Sequence, residues 1–142
     1  MLKLPTEEVV YDDGAGVRVR LVVQQANYLQ GLTRTLLIEQ AFKEFSPEWT
    51  GSPVAQAETL IRGMAYPSMV AAVVEVDDGG LFSEWPPTAT EFLSMPQQFG
   101  TDWEFATFRL NPGWRVGAKR PAPTEAEAEA ELEKKDLGSS GP

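Results

Sequence analysis

The sequence predicts an α+β fold, mainly α, in which an N-terminal β-hairpin packs on about four helices and a flexible acidic tail follows. Three observations carry this expectation. Near the N-terminus, two valine-rich runs flank a cluster of aspartates and glycines. From Asn27 onward, apolar residues recur at helical spacing. After Gly117 the composition changes to a low-complexity, acid-rich segment. The boundaries read as a compact domain over 1–117 and a tail over 118–142.

The hairpin comes first. Val9, Val10 and Tyr11 lead into Asp12-Asp13-Gly14-Ala15-Gly16, a composition that favours a turn. Val17-Arg18-Val19-Arg20-Leu21 then alternates apolar with charged residues, the period of a half-buried strand. Val17, Val19 and Leu21 are expected to face the core, with Arg18 and Arg20 in water.

Asn27 is a suitable N-cap for a helix running to about Phe45, with Leu29, Leu32, Leu36, Ile38, Ala41, Phe42 and Phe45 at helical spacing. Gly31 weakens this helix by ~1 kcal/mol relative to alanine. Pro47 closes it. Ser52-Pro53 opens a second helix, with a stripe of Val54, Ala57, Leu60, Ile61 and Met64. Tyr66-Pro67 reads as an interruption. The run Ser68 to Val76 is ambiguous, since its valines favour a strand while its early proline and alanine pair favour a helix; a short buried helix is expected there.

Asp77-Asp78-Gly79-Gly80 forms a turn and Trp85-Pro86-Pro87 a loop. Thr88 and Glu91 make a capping-box pattern ahead of Phe92 and Leu93. Pro96 sits where a first helical residue belongs, and Phe99, Trp103, Ala106 and Leu110 fall on one face of the helix that follows. Phe105 and Phe108 lie off that face, so this helix is either deeply buried or offers a second surface to a partner. Asn111-Pro112-Gly113-Trp114 ends it, with Trp114 expected to fold back on the domain. Trp103 reads as core. Trp49 and Trp85 sit in proline-flanked loops, where an aromatic ring either staples the loop to the body or anchors a partner.

In the tail, Thr124 and Glu127 form another capping-box pattern, but alternating Glu and Ala gives no amphipathic face. From Pro121 onward six acids stand against two lysines, a net −4 within a chain total of −9. So few large apolar groups cannot offset the entropy of ordering the segment.

Composition removes several chemistries. The chain of 142 residues has no cysteine and no histidine, which excludes disulfides, thiol nucleophiles, Cys/His zinc sites and imidazole acid–base catalysis. Gly14-Ala15-Gly16 lacks the lysine and helix of a phosphate loop, and no serine stands in a nucleophile elbow. The paired aspartates lack the alternating spacing of a calcium loop. No enzyme activity, cofactor or metal is therefore expected. Net acidity argues against a nucleic-acid partner, and no run approaches the ~20 apolar residues that span a bilayer. A soluble, cytoplasmic protein is the expectation.

One pattern points further. Tyr66-Pro67-x-x-Val70-Ala71, then Pro87-Thr88, Glu91-Phe92-Leu93, Pro96, Trp103 and Asn111-Pro112-Gly113-Trp114, resembles small proteins encoded among bacteriophage tail genes. The Asp13-Gly14-Ala15-Gly16-Val17-Arg18-Val19 opening and the helix from Asn27 are compatible with it, so the resemblance spans roughly residues 12–114. Those elements are structural rather than catalytic. The resemblance implies a tail assembly chaperone of siphophage type, acting in the host cytoplasm. Its implied partner is the long, helical tape measure protein, with the tail tube protein and self-association into a homo-oligomer as further contacts. Such chaperones are often also made in a longer, frameshifted form, and Glu133-Lys134-Lys135 has codons able to spell a slippery run. The role needs exposed apolar surface, and Phe99, Phe105, Phe108 and Trp114 are the expected contact residues. A virion structural component (decoration or tail completion) and a small acidic regulatory module are the competing classes.

Overall fold

The computed structural model describes residues 2–46 and 50–115. The chain is α+β. Strand β1 (Thr6–Asp12) pairs antiparallel with β2 (Arg18–Gln24), which pairs antiparallel with β3 (Val73–Asp77), giving the order β1-β2-β3. Helices α1 (Tyr28–Glu44), α2 (Pro53–Leu60), α3 (Tyr66–Ala71), α4 (Ala89–Leu93) and α5 (Gln97–Leu110) make up the rest, with a final 3-10 turn at Pro112–Trp114. The expected tail over 118–142 and the Trp49 loop lie outside the described residues.

The hairpin forms as its sequence predicts. Asp12 and Asp13 accept backbone hydrogen bonds from Gly14 (2.8 Å) and from Ala15 and Val17 (2.7 and 3.0 Å), so both carboxylates serve the turn. Val9, Val19, Leu21 and Val23 fill the core face, while Val17 is half-buried. Across the core lies an aromatic cluster. Trp103 of α5 sits 5.4 Å from Phe92 and 5.7 Å from Phe99, ring centre to ring centre, and Trp85 stacks on it at 5.9 Å. The Trp103 indole N–H donates to the Met69 carbonyl at 3.1 Å, which satisfies the one polar group of a fully buried ring. Trp85 thus staples its loop to the body.

The segment from Tyr66 to Val76 departs from expectation twice. Tyr66-Pro67 does not interrupt the helix: α2 passes through a π turn (Ile61–Ala65) straight into α3. The Tyr66 N–H donates to the Ile61 carbonyl, five residues back. This wider turn makes room for the Pro67 ring, which would clash with the preceding turn of a regular helix. Then the helix expected over Ser68–Val76 stops at Ala71, and Val73–Asp77 is a strand. Its valines take the ladder that β2 offers, beginning with Gln24 N–H to the Ala72 carbonyl at 2.9 Å. Long-range pairing decides a run whose local preferences conflict.

Candidate functional site

Helix α1 is built inside out. Asn27 caps it through a capping box with Gln30, and Gln30 is then buried, donating to the Ala71 carbonyl at 3.0 Å and accepting from Gln24 at 2.8 Å. One turn on, Arg34 enters the same side. Its Nε donates to Ser68 Oγ at 2.7 Å, its terminal nitrogen donates to the Trp114 carbonyl at 3.2 Å, and its guanidinium lies 5.0 Å from the centre of the Trp114 ring. Burial lowers the Arg34 pKa, and the hydrogen bonds with the aromatic face replace part of its lost hydration.

With polar residues directed inward, the leucines go out. Tyr28, Leu29, Leu32 and Leu36 are 83%, 71%, 46% and 65% exposed. Leu29, Leu32 and Leu36 stand at i, i+3 and i+7 and therefore share one helical face. The sequence pattern showed these leucines at helical spacing without fixing which way they face. In fact the apolar stripe changes sides along the helix: Leu37, Ile38, Ala41 and Phe45, nearer the C-terminal end, are the half-buried ones. Single exposed leucines are ordinary, but a contiguous apolar stripe is the mark of an interaction surface. On α2, Val54 and Leu60 of the expected apolar stripe are exposed as well.

The four expected contact residues are not brought together. Phe99 is fully buried, 5.8 Å from the Tyr11 ring. Phe108 is buried, with the Arg115 guanidinium 5.7 Å from its ring centre. Trp114 is half-buried under Arg34, folded back as its Asn-Pro-Gly lead predicts. Only Phe105, at 52%, stays open to solvent. It lines a groove of about 500 Å³ between α5 and β1, with Glu7, Glu8, Val9, Val10, Asp102 and Arg109. Arg109 crosses this groove to Glu7 in a bidentate pair at 2.8 and 2.9 Å.

A second cavity, of about 570 Å³, opens between α1 and the loop leading into α4, walled by Leu37, Phe45, Tyr66, Pro86 and Pro87 and rimmed by Glu44 and Glu84. The Tyr66 hydroxyl donates to the Pro87 carbonyl at 2.6 Å. Burial, then the charges of Glu44 and Glu84, push the phenol above its ordinary range, so it remains a donor at neutral pH. The groups around it offer no nucleophile–base pair.

Asp78 accepts from Gly80 at 3.0 Å and so serves its turn. Among the described residues, no cluster of three acidic side chains could hold a metal ion, and no helix is long and apolar enough to cross a membrane. The α1 stripe was visible in sequence as periodicity, but its direction was not, because direction depends on what Gln30 and Arg34 find inside. No protein-family model, curated protein or solved structure matches this chain.

Proposed function

We propose that this chain is a non-enzymatic binding protein that holds an apolar helical partner on the outward face of α1, and that it serves as a phage tail assembly chaperone for the tape measure protein. The observation that carries the reading is the exposed Leu29–Leu32–Leu36 stripe on a helix whose opposite face is satisfied by polar contacts. A helix presenting anchors at this spacing matches the way amphipathic helices pair. Each leucine moved out of water by a partner contributes roughly 1.5–3 kcal/mol when its burial is complete. The net charge of −9 supports solubility of a complex with an aggregation-prone partner.

Co-expression with a phage tape measure protein tests the proposal. A soluble complex is expected, and the double variant L32E/L36E, which leaves the core untouched, should lose it. If the tape measure protein precipitates equally with and without this chain, the chaperone reading falls. Sequencing the codons for residues 133–142 and the frame beyond supplies an independent check on the longer form.

A further inference from the structure

The two edges of the sheet are treated differently. Edge strand β3 has five residues and a register break opposite Val22/Val23, both devices that discourage another strand from pairing. Edge strand β1 has seven residues in unbroken register with β2 and no proline inside it. The Asp13 N–H bonds to the Val17 carbonyl and the Gln25 N–H to the Pro5 carbonyl. In an antiparallel ladder, hydrogen-bonded positions alternate, so residues 5, 7, 9, 11 and 13 face β2. The N–H and C=O groups of Thr6, Glu8, Val10 and Asp12 point away from the sheet. The acids that would normally guard such an edge are already engaged: Glu7 by Arg109 at 2.8 Å, Glu8 by Arg20 at 2.9 Å, and Asp12 by the turn.

We infer that β1 is a self-association edge, and that two copies pair antiparallel about a two-fold axis at Val9, extending the sheet from three strands to six. Charge selects this register. Three centres keep five or more of the seven β1 residues paired. A centre at Glu8 sets Glu8 against the partner's Glu8, and a centre at Val10 sets Glu8 against the partner's Asp12. Centred on Val9, Glu8 faces the partner's Val10, Thr6 faces the partner's Asp12, and Glu7 faces the partner's Tyr11, so no acid meets an acid. Like charges directly opposite are destabilising, which makes this the one of the three arrangements that a chain of such acidity tolerates. Exposed Phe105, in the groove beside Val9 and Val10, adds apolar surface next to the axis. A seven-residue pairing is smaller than a standard interface, so the dimer is weak and forms as concentration rises. It uses no residue of the α1 stripe.

Sedimentation equilibrium of the full chain from micromolar to submillimolar concentration tests this, using T6E and T6K as the decisive pair. Thr6 is exposed and faces neutral Gln24 within its own chain, so the two variants perturb the fold alike. Against the partner's Asp12 they act oppositely. T6E introduces two acid–acid pairs per dimer and is expected to weaken it about tenfold, while T6K tightens it. V10P removes an outward N–H and should abolish pairing. A chain that stays monomeric throughout overturns the inference. So does a dimer that T6E and T6K affect equally, or one lost in L32E instead.

Discussion

Asn111 accepts a hydrogen bond from the backbone N–H of Ala26 at 2.8 Å, tying the end of α5 to the residue that leads into α1. The same side chain donates to the Gln24 and Thr107 carbonyls, each at 3.1 Å. One buried amide therefore closes α5 and fixes the exit of β2 from the sheet. Asn111→Ala leaves the Ala26 N–H and the Gln24 carbonyl without a partner and is expected to cost about 2–4 kcal/mol in urea unfolding. Asn111→Asp keeps the acceptor but loses both donated bonds, so it should also destabilise while leaving the Ala26 amide protected from hydrogen exchange.

The reversed polarity of α1 makes an unusual pair of expectations. Replacing Leu29, Leu32 or Leu36 by glutamine should leave stability within about 0.5 kcal/mol, as for surface positions. Replacing Gln30 by alanine should cost about 2 kcal/mol or more, because the Ala71 carbonyl loses its side-chain donor within the core. Thermal or urea unfolding of these variants reads the direction of the helix directly.

Arg34 links α1 to α3 through Ser68 and to the C-terminal turn through Trp114. Arg34→Met keeps most of the apolar stem but removes the fork and the charge. It should destabilise by about 1–3 kcal/mol, red-shift the Trp114 contribution to fluorescence and speed amide exchange over residues 112–115. An unchanged spectrum would show that the stack does not hold Trp114 in place.

Glu91 supplies a pH dependence whose sign is fixed. Hydrogen bonds from the backbone and hydroxyl of Ser83, with further ones from Thr88, hold its carboxyl below the usual glutamate range. In the window between its folded and unfolded pKa values the unfolded chain binds more protons, so stability rises with pH there. The contribution is complete above the ordinary value of about 4.3 and is lost as pH falls through the folded pKa. Glu91→Gln should therefore flatten the acid limb of the stability–pH curve; an identical limb in the variant would refute the assignment.

Local signals made part of this fold legible. The aspartate-glycine cluster, Asn27, Thr88 and Asn111 each stood where a turn or cap was read, because capping and turn formation depend on a few neighbouring residues. The pattern of α5 was equally readable, since Phe99, Trp103 and Ala106 all point to the core. What failed to show was decided at long range. Strand β3 exists because β2 has a free edge, and α1 turns its leucines outward because Gln30 and Arg34 have partners on α3. Periodicity reports that a helix has a face, not which way it looks. For the same reason Phe105 alone, of four expected contact residues, remains open to solvent.

The π turn at Ile61–Ala65 has a meaning for how this chain tolerates change in length. It closes its hydrogen-bonded loop with one residue more than an α-helix uses, so everything after it is offset by the angle of one residue, about 100°. Deleting Arg62, Gly63 or Met64 would turn the bond from Tyr66 to Ile61 into an ordinary i→i−4 bond and leave α3 in its present phase. Met69 and Val70 would keep their places in the core, but Pro67 would meet the carbonyl that the wide turn now keeps clear. An insertion or deletion within α2, in contrast, turns only an outer, largely exposed rod. The offset thus divides one continuous helix into a stretch whose length can vary and a stretch whose phase is fixed by the core.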